Sequence, residues 1–259
     1  NNILYNKVSG ISSNSKEIKK GYIFVAIKGK DFDGAEFIAE AEKLGAFLII
    51  AEESCNKKVF SIKKGTARQI YTLLLSSFYI KQPKQIIGVT GTNGKTSTVE
   101  FCRQLWALAG WKAASMGTLG TKTETAINKS VYKNKEENLT TFEPSDLYKK
   151  LNFLVEEKIS HLALEASSHG IDQYRLDGVN FSGAVFTNLS HDHLDYHGNT
   201  ANYFSTKKRL FTKVLKNNSA ISINIDDIYG KKLYEELKDA NHFIITFGKC
   251  SKADIKIKS

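Results

Sequence analysis

Cysteine is scarce and scattered: Cys55, Cys102 and Cys250 are the only three. An odd number at such spacing builds neither a disulfide framework nor a zinc site, and it fits a reducing cytoplasm. Long apolar runs are missing as well. The longest, around Ala46–Ala51 and Leu73–Ile80, fall short of the ~18 residues of a membrane span. No signal-peptide pattern opens the chain, so a cytoplasmic protein with no membrane insertion is expected. Arginine is rare too: Arg68, Arg103, Arg175 and Arg209 are four of 37 basic residues in a chain of net charge +10. Sequence-specific base readout leans on bidentate arginine, and the lysines are dispersed rather than set in one stripe. The charge therefore reads as a solvated surface that favours small anions, and nucleic acid is not expected as a partner. An HExxH pattern and an N/TKxD-type guanine reader are both absent, which argues against a zinc hydrolase and against a GTPase or motor. No initiator Met heads the chain, and it stops inside the alternating pattern Ala253-Asp254-Ile255-Lys256-Ile257-Lys258. Both ends therefore read as trimmed, with a further module expected to follow.

What the chain does hold is GVTGTNGKTST at residues 88–98. Gln85 to Thr90 is an apolar run of strand character, Gly91 and Gly94 supply a turn on which backbone N–H groups can close around an anion, and Thr96 to Leu108 has helical periodicity. The start of that helix adds unpaired donors and a positive dipole end. Lys95 can then reach the outer phosphates of a nucleoside triphosphate, and the Thr96 hydroxyl can hold Mg²⁺. In the usual longer loop a glycine would fall at position 89, which is Val89; Gly91 stands three before Gly94 instead, giving the shortened form GxxGKT. A chance glycine-rich turn would need neither a strand before it nor a helix after it, and here both are present.

At 259 residues the chain has room for two α/β domains. In the first, read as residues 1–82, strands are predicted at Gly21–Ile27 and Ala46–Ala51 and helices at Glu36–Leu44 and Ala67–Tyr79. Pro83, one of two prolines, marks the break before the phosphate-loop strand. The second, residues 83–259, is predicted to be a P-loop-type, mostly parallel sheet. Its strands are expected near 85–90, 113–117, 161–165, 183–187, 219–224 and 243–247, and its helices near 95–109, 145–158, 202–215 and 227–238. The polar stretch Thr121–Asn138 is expected to be an exposed loop or hairpin. Ligands of such sheets bind at the carboxyl ends of the strands, where the polar motifs fall.

After the strand His161–Leu164 comes Glu165-Ala166-Ser167-Ser168-His169-Gly170, a carboxylate and two hydroxyls at a strand tip. Near a phosphate loop such a carboxylate suits Mg²⁺, which makes Glu165 a candidate ligand of the ion that Thr96 also touches. The strand Ala184–Thr187 runs into Asn188-Leu189-Ser190-His191-Asp192-His193-Leu194-Asp195-Tyr196-His197-Gly198, with three of the six histidines. That density points to a divalent ion or to phosphoryl chemistry. His193-x₃-His197 alone would allow zinc, while the carboxylates suit the harder Mg²⁺. His191 and His197 taken singly also fit a polar capping loop.

Together GTNGKTS, EASSHGIDQYRLDG and FTNLSHDHLDYHGN, followed by Tyr203-Phe204-Ser205-Thr206-Lys207-Lys208-Arg209-Leu210-Phe211, closely resemble the Mur ligases of peptidoglycan synthesis. The SSHG…DQ.R segment resembles the MurE type, the UDP-N-acetylmuramoyl-dipeptide ligases that add the third amino acid. The resemblance covers nearly the whole chain, including Asn14-Ser15-Lys16 and Gly29–Gly34. It implies a three-domain enzyme in which an N-terminal domain grips the UDP moiety, a central domain uses ATP, and a C-terminal domain binds the incoming amino acid. The present chain would hold the first and most of the second.

Carried over position by position, the resemblance implies that Gly91, Thr92, Asn93, Gly94, Lys95, Thr96 and Ser97 cradle the ATP phosphates and that Lys95 stabilises the transferring γ-phosphoryl. Thr96 and Glu165 would hold one Mg²⁺, and His193 a second. Lys207 matches a family lysine that CO₂ carbamylates, and the change makes sense because an ammonium repels a cation whereas a carbamate is an anion with two oxygens. Without the resemblance Lys207 reads as a surface lysine. Its neighbours Lys208 and Arg209 are expected to disfavour its protonated form and so assist the reaction with CO₂. Thr140, Thr141, Ser167, Gln173 and Arg175 match positions that hold the muramoyl-dipeptide, and Ser15 one near the uridine.

Two departures stand out. Phe142 follows the threonines where the family usually has Pro, with Pro144 two residues on, which is expected to shift the helix start. Asn14-Ser15-Lys16 also lacks the carboxylate and guanidinium of the family's DSR-like motif. The implied reaction is ATP-dependent addition of meso-diaminopimelate or L-lysine to UDP-MurNAc-L-Ala-D-Glu through an acyl phosphate, by a monomer. MurF-type ligases and folylpolyglutamate synthases share the ATP chemistry without SSHG…DQ.R. The chain on its own is expected to be inactive, or to act as a nucleotide- or UDP-sugar-binding module.

Overall fold

Apolar strand segments alternate with amphipathic helices, and in the computed structural model this alternation closes into two parallel-sheet units, Asn1–Ile80 and Lys81–Ser259. The structure describes residues 8–29, 32–123 and 139–258. In the first unit β1 (Gly10–Ser12), β2 (Tyr22–Val25), β3 (Leu48–Glu52) and β4 (Val59–Ile62) lie in sequence order as a four-stranded parallel sheet. Phe24, Ile49, Ala51 and Val59 from these strands share one core with Ile18 and with Ala41 of α1 (Ile38–Lys43), and α2 (Ala67–Phe78) completes the unit. The helix expected from Glu36 opens as a tighter 3₁₀ turn, Gly34–Phe37, whose N-cap Asp33 accepts from the Ala35 N–H. β4 has no counterpart among the predicted strands. Only its Val59 is buried, and exposed Phe60 and Ser61 blur the alternation that marks a strand.

The second unit is an eight-stranded sheet of β5 (Gln85–Thr90), β6 (Ala113–Gly117), β7 (Gly120–Thr123), β8 (His161–Glu165), β9 (Gly183–Phe186), β10 (Ala220–Asn224), β11 (Phe243–Gly248) and β12 (Ile255–Lys256). Their order is β12-β11-β10-β9-β5-β8-β6-β7, and among the described pairings all are parallel except β6 with β7. The helices are α3 (Lys95–Leu108), α4 (Pro144–Glu156), α5 (Ser168–Asp172), α6 (Leu194–His197), α7 (Thr200–Arg209) and α8 (Ile228–Leu237). β6 is buried along its whole length, which is why Ala113-Ala114-Ser115-Met116-Gly117 lacks a polar face. On α4, Leu147, Leu151 and Leu154 recur at helical spacing with Tyr148, and all four are fully buried.

Three expectations are modified. The polar stretch read as a loop or hairpin opens with β7, antiparallel to β6, and residues 124–138 lie outside those described. The helix expected over 202–215 is α7 followed by a π-helical turn, Leu210–Val214, which keeps Leu210 and Phe211 buried. The terminal alternating pattern forms only the short β12, on the free edge of β11. Among the described residues no helix is long and apolar enough to cross a membrane. Leu151→Ala empties a fully buried position on α4 and is expected to lower unfolding free energy by about 2–5 kcal/mol, read as a reduced urea midpoint with the slope unchanged.

Candidate functional site

β5 is flanked by β8 and β9, so the strand tips after Thr90, Glu165 and Phe186 stand side by side at the carboxyl edge of the sheet. The loop leaving Thr90 turns on Gly91, at φ +149°, and Gly94, at φ +84°. A Cβ on Gly91 would run into Thr187 Oγ1 and the Asn188 backbone, while Gly94 occupies the left-handed region that other residues disfavour. Gly94 puts no side-chain cap on α3, so the first N–H groups of that helix have no partner within it. Thr92 and Asn93 differ. The Thr92 N–H donates to Asn188 O at 2.9 Å and the Asn93 N–H to Asn188 Oδ1 at 3.0 Å. Past Asn93, the N–H donors left for an anion are those of Gly94, Lys95, Thr96 and Ser97.

Lys95 folds back on this loop, its Nζ donating to Gly91 O at 2.9 Å and to Thr92 O at 2.8 Å. Lys207, brought in by α7, is 1% exposed and donates to the same Gly91 O at 2.9 Å. It also lies over the Tyr203 ring, 4.4 Å from its centre. Burial lowers the pKa of both lysines; the drop is large for Lys207, where Lys95 deepens it and Asp192 opposes it. For Lys95, the charges of Glu165 and Asp192 oppose the drop. Lys208 and Arg209, expected to disfavour the protonated form of Lys207, are not among the causes of its lowered pKa. Lys208 pairs with Glu236 at 2.7 Å, and Arg209 forks onto both oxygens of Asp177 at 2.8 and 2.6 Å. Both charges are answered locally, which leaves burial and Lys95 as the causes.

Glu165 is also 1% exposed. Its Oε1 accepts from the Thr118 N–H at 2.9 Å and its Oε2 from Thr118 Oγ1 at 3.3 Å, and Gly117 makes room, since a Cβ there would overlap the carboxylate. Thr118 Oγ1 meets Thr140 Oγ1 at 3.1 Å. One residue that the sequence motifs did not mark thus links the candidate Mg²⁺ carboxylate to a candidate substrate threonine. Its signal was Gly117-Thr118-Leu119-Gly120, a glycine-flanked polar residue at the tip of a predicted strand. His193 has a left-handed backbone, φ +51°, with an exposed ring 3.5 Å from Asp192 Oδ2. His191 is exposed, and His197 is buried with no hydrogen-bond partner for Nε2 among the described residues. Among the described residues no three of His, Cys, Asp and Glu group closely enough to hold a metal by themselves. An ion here would need donors of other types, such as Thr96 or a modified Lys207.

A cavity of about 320 Å³ gathers Lys95, His193 and Lys207 with Thr140, Thr141, Ser167, Gln173 and Arg175. Ser167 caps α5 by accepting from the Gly170 N–H at 3.1 Å, and donates to Thr141 Oγ1, which donates to Glu165 O, each at 2.9 Å. Arg175 is buried and engaged: its guanidinium meets Glu143 at 2.6 Å, Gln173 Oε1 at 2.8 Å and Thr141 O at 2.8 Å. The fork expected to take a substrate anion is thus held by protein groups. Phe142 is buried, and α4 starts at Pro144 with Glu143 as N-cap. Ser15 lies in the first unit, buried in the turn Ser15–Glu17 whose N-cap Asn14 accepts from the Lys16 N–H.

Three neighbouring tips of a parallel sheet, one bearing a glycine turn at a helix start, define a P-loop nucleotide-binding α/β protein. Residues 89–259 match the Mur ligase middle domain and residues 7–75 match the Mur ligase family, catalytic domain; the chain belongs to the Mur ligase family. It is 39% identical over 246 residues, 94% of its length, to the UDP-N-acetylmuramoyl-L-alanyl-D-glutamate–2,6-diaminopimelate ligase of Brucella melitensis, of which it covers 49%. To the protein of that name in Aquifex aeolicus it is 39% identical over 253 residues, 97% of this chain and 50% of the relative. The chain spans about half the length of the curated relatives it matches. A solved structure of a ligase of the same name superposes with TM-score 0.80 at 29% identity, over 97% of this chain and 51% of that one. MurF ligase from Thermotoga maritima, solved in complex with ADP, shares the fold at TM-score 0.57 and 20% identity, over 99% of this chain and 53% of that one.

Lys207→Met is expected to raise stability by about 1 kcal/mol or more near neutral pH in bicarbonate- and metal-free buffer, because a buried ammonium gives way to an apolar chain of similar length. The lowered pKa of Lys207 sets the sign. Below that lowered value the folded state bears the full penalty of the charge, and the penalty fades as pH rises towards the ordinary lysine range. The advantage of the variant should therefore shrink with rising pH in thermal unfolding measured across that window.

Proposed function

We propose that the protein to which this chain belongs is an ATP-dependent ligase that joins a diamino acid to UDP-MurNAc-L-Ala-D-Glu through an acyl phosphate. One observation carries the reading: a single cavity collects Lys95, His193 and Lys207 together with Thr140, Thr141, Ser167, Gln173 and Arg175. A phosphate-handling group and a set suited to an anionic peptide end meet there, as attack of a carboxylate on a triphosphate requires. The names of the relatives favour diaminopimelate over lysine as the acceptor.

The residues fit the groups this chemistry needs. The start of α3, without a side-chain cap, offers N–H donors and a dipole to a triphosphate. Glu165 is a buried carboxylate that, among the described residues, accepts its hydrogen bonds from Thr118, leaving acceptor capacity for a cation. Among the described residues Lys207 has one carbonyl partner, and it is shut away from water, a setting that favours the neutral amine able to react with CO₂. Thr96, Glu165, His193 and carbamylated Lys207 are the residues that would hold two Mg²⁺, whose chemistry is to offset the repulsion between carboxylate and triphosphate. Lys95 would exchange its bonds to Gly91 O and Thr92 O for oxygens of the γ-phosphoryl and so stabilise charge as it develops. Arg175 would exchange Glu143 for a substrate carboxylate, with Gln173 keeping the guanidinium oriented. Ser15, in the first unit, is assigned near the uridine, and the enzyme is assigned to the cytoplasm as a monomer.

In the full-length protein, UDP-MurNAc-L-Ala-D-Glu and diaminopimelate should together drive ADP formation, with lysine the poorer acceptor in an amino-acid panel. Lys95→Ala should lower that rate by about a hundredfold or more; release of phosphate at the wild-type rate would sink the assignment. With ¹³C-bicarbonate, a carbamate carbon signal should appear in the wild type and vanish in Lys207→Arg.

A further inference from the structure

The phosphate loop is seated from behind by the segment that follows β9. Asn188 grips the backbone of Asn93 with both ends of its amide: Oδ1 accepts from the Asn93 N–H at 3.0 Å, and Nδ2 donates to Asn93 O at 3.2 Å. Thr187 Oγ1 adds a second bond to Asn93 O at 2.7 Å. The gripping segment is itself anchored. Asn224 Nδ2 donates to Thr187 O at 2.8 Å, and the Leu189 N–H donates to Asp227 Oδ2 at 3.1 Å, while Asp227 Oδ1 caps α8.

The N–H and C=O of Asn93 belong to successive peptide planes, so one amide fixes the backbone on both sides of that residue. In a trans peptide the C=O and the following N–H point in opposite directions. With Asn93 O held by Thr187 and Asn188, the N–H of Gly94 in the same rigid plane must point away from the β9 segment. Unlike the Thr92 and Asn93 N–H groups before it, the Gly94 N–H makes no described bond to that segment. We propose that Asn188 is a positioning residue for nucleotide: by holding the carbonyl of Asn93 it aims the Gly94 N–H at the phosphate. This inference rests on the ligase reading above and adds to it a residue that never touches the ligand.

The test uses Asn188→Ala and the milder Thr187→Val in the full-length protein, each titrated calorimetrically with ADP and Mg²⁺ and, separately, with UDP-MurNAc-L-Ala-D-Glu. Asn188→Ala should weaken ADP binding by about tenfold, the scale of the hydrogen bonds removed, with a smaller loss in Thr187→Val. Affinity for the sugar-dipeptide should not change, and the KM for ATP should rise more than kcat falls. ADP affinity equal to wild type in Asn188→Ala would overturn the proposal. So would a parallel fall in both ligand affinities and in the unfolding midpoint, which marks general loosening. A wild-type protein that binds no nucleotide would bring down the ligase reading itself, and so is distinguishable from either result.

Discussion

Burying the Lys207 side chain is costly whenever its amine is charged, and the Gly91 carbonyl, the Tyr203 ring and Lys95 surround it. An ion removed from water costs several kcal/mol unless it is well paired, and among the described residues the one hydrogen-bond acceptor of Lys207 is a carbonyl that Lys95 also uses. Stability alone would favour an apolar residue on that turn of α7, packed on Tyr203 and the loop. The arrangement becomes economical once the amine is neutral or has been converted to an anion, because the same burial then shelters a ligand for a cation beside a phosphate loop. Glu165 presents the matching problem with opposite sign: a buried carboxylate held by Thr118, with no salt bridge among the described residues. Two buried ionisable groups of opposite type beside one loop, neither hydrogen-bonded to the other, form the kind of cluster that gathers at functional sites.

Much of this was legible in sequence because the informative features are local. The strand before the loop, the left-handed glycine at its end, and the carboxylate and histidine at later tips each announce themselves within a few residues. The parallel order then brings those tips together, since β5 sits between β8 and β9. What was not legible depends on partners far apart in the chain. Thr118 acquires its meaning only from Glu165, 47 positions away, and Asn188 only from Asn93, 95 positions away. The cause of the pKa shift at Lys207 was misplaced for the same reason. Sequence neighbours Lys208 and Arg209 are close along the helix, but Glu236 and Asp177 neutralise them, while Lys95 arrives from a different element. Short elements such as β4 and the 3₁₀ turn at Gly34 were missed because a few residues carry too little periodicity to stand out.

The engaged state of Arg175 follows from the same economy. A buried guanidinium left without anions would be costly, so the fold supplies Glu143, Gln173 and the Thr141 carbonyl. These partners are unequal. Gln173 and the backbone carbonyl are neutral and short-tethered, whereas Glu143 is a partly exposed carboxylate at the start of α4. A substrate carboxylate could replace Glu143 with little change in local charge, while the neutral partners keep the fork oriented.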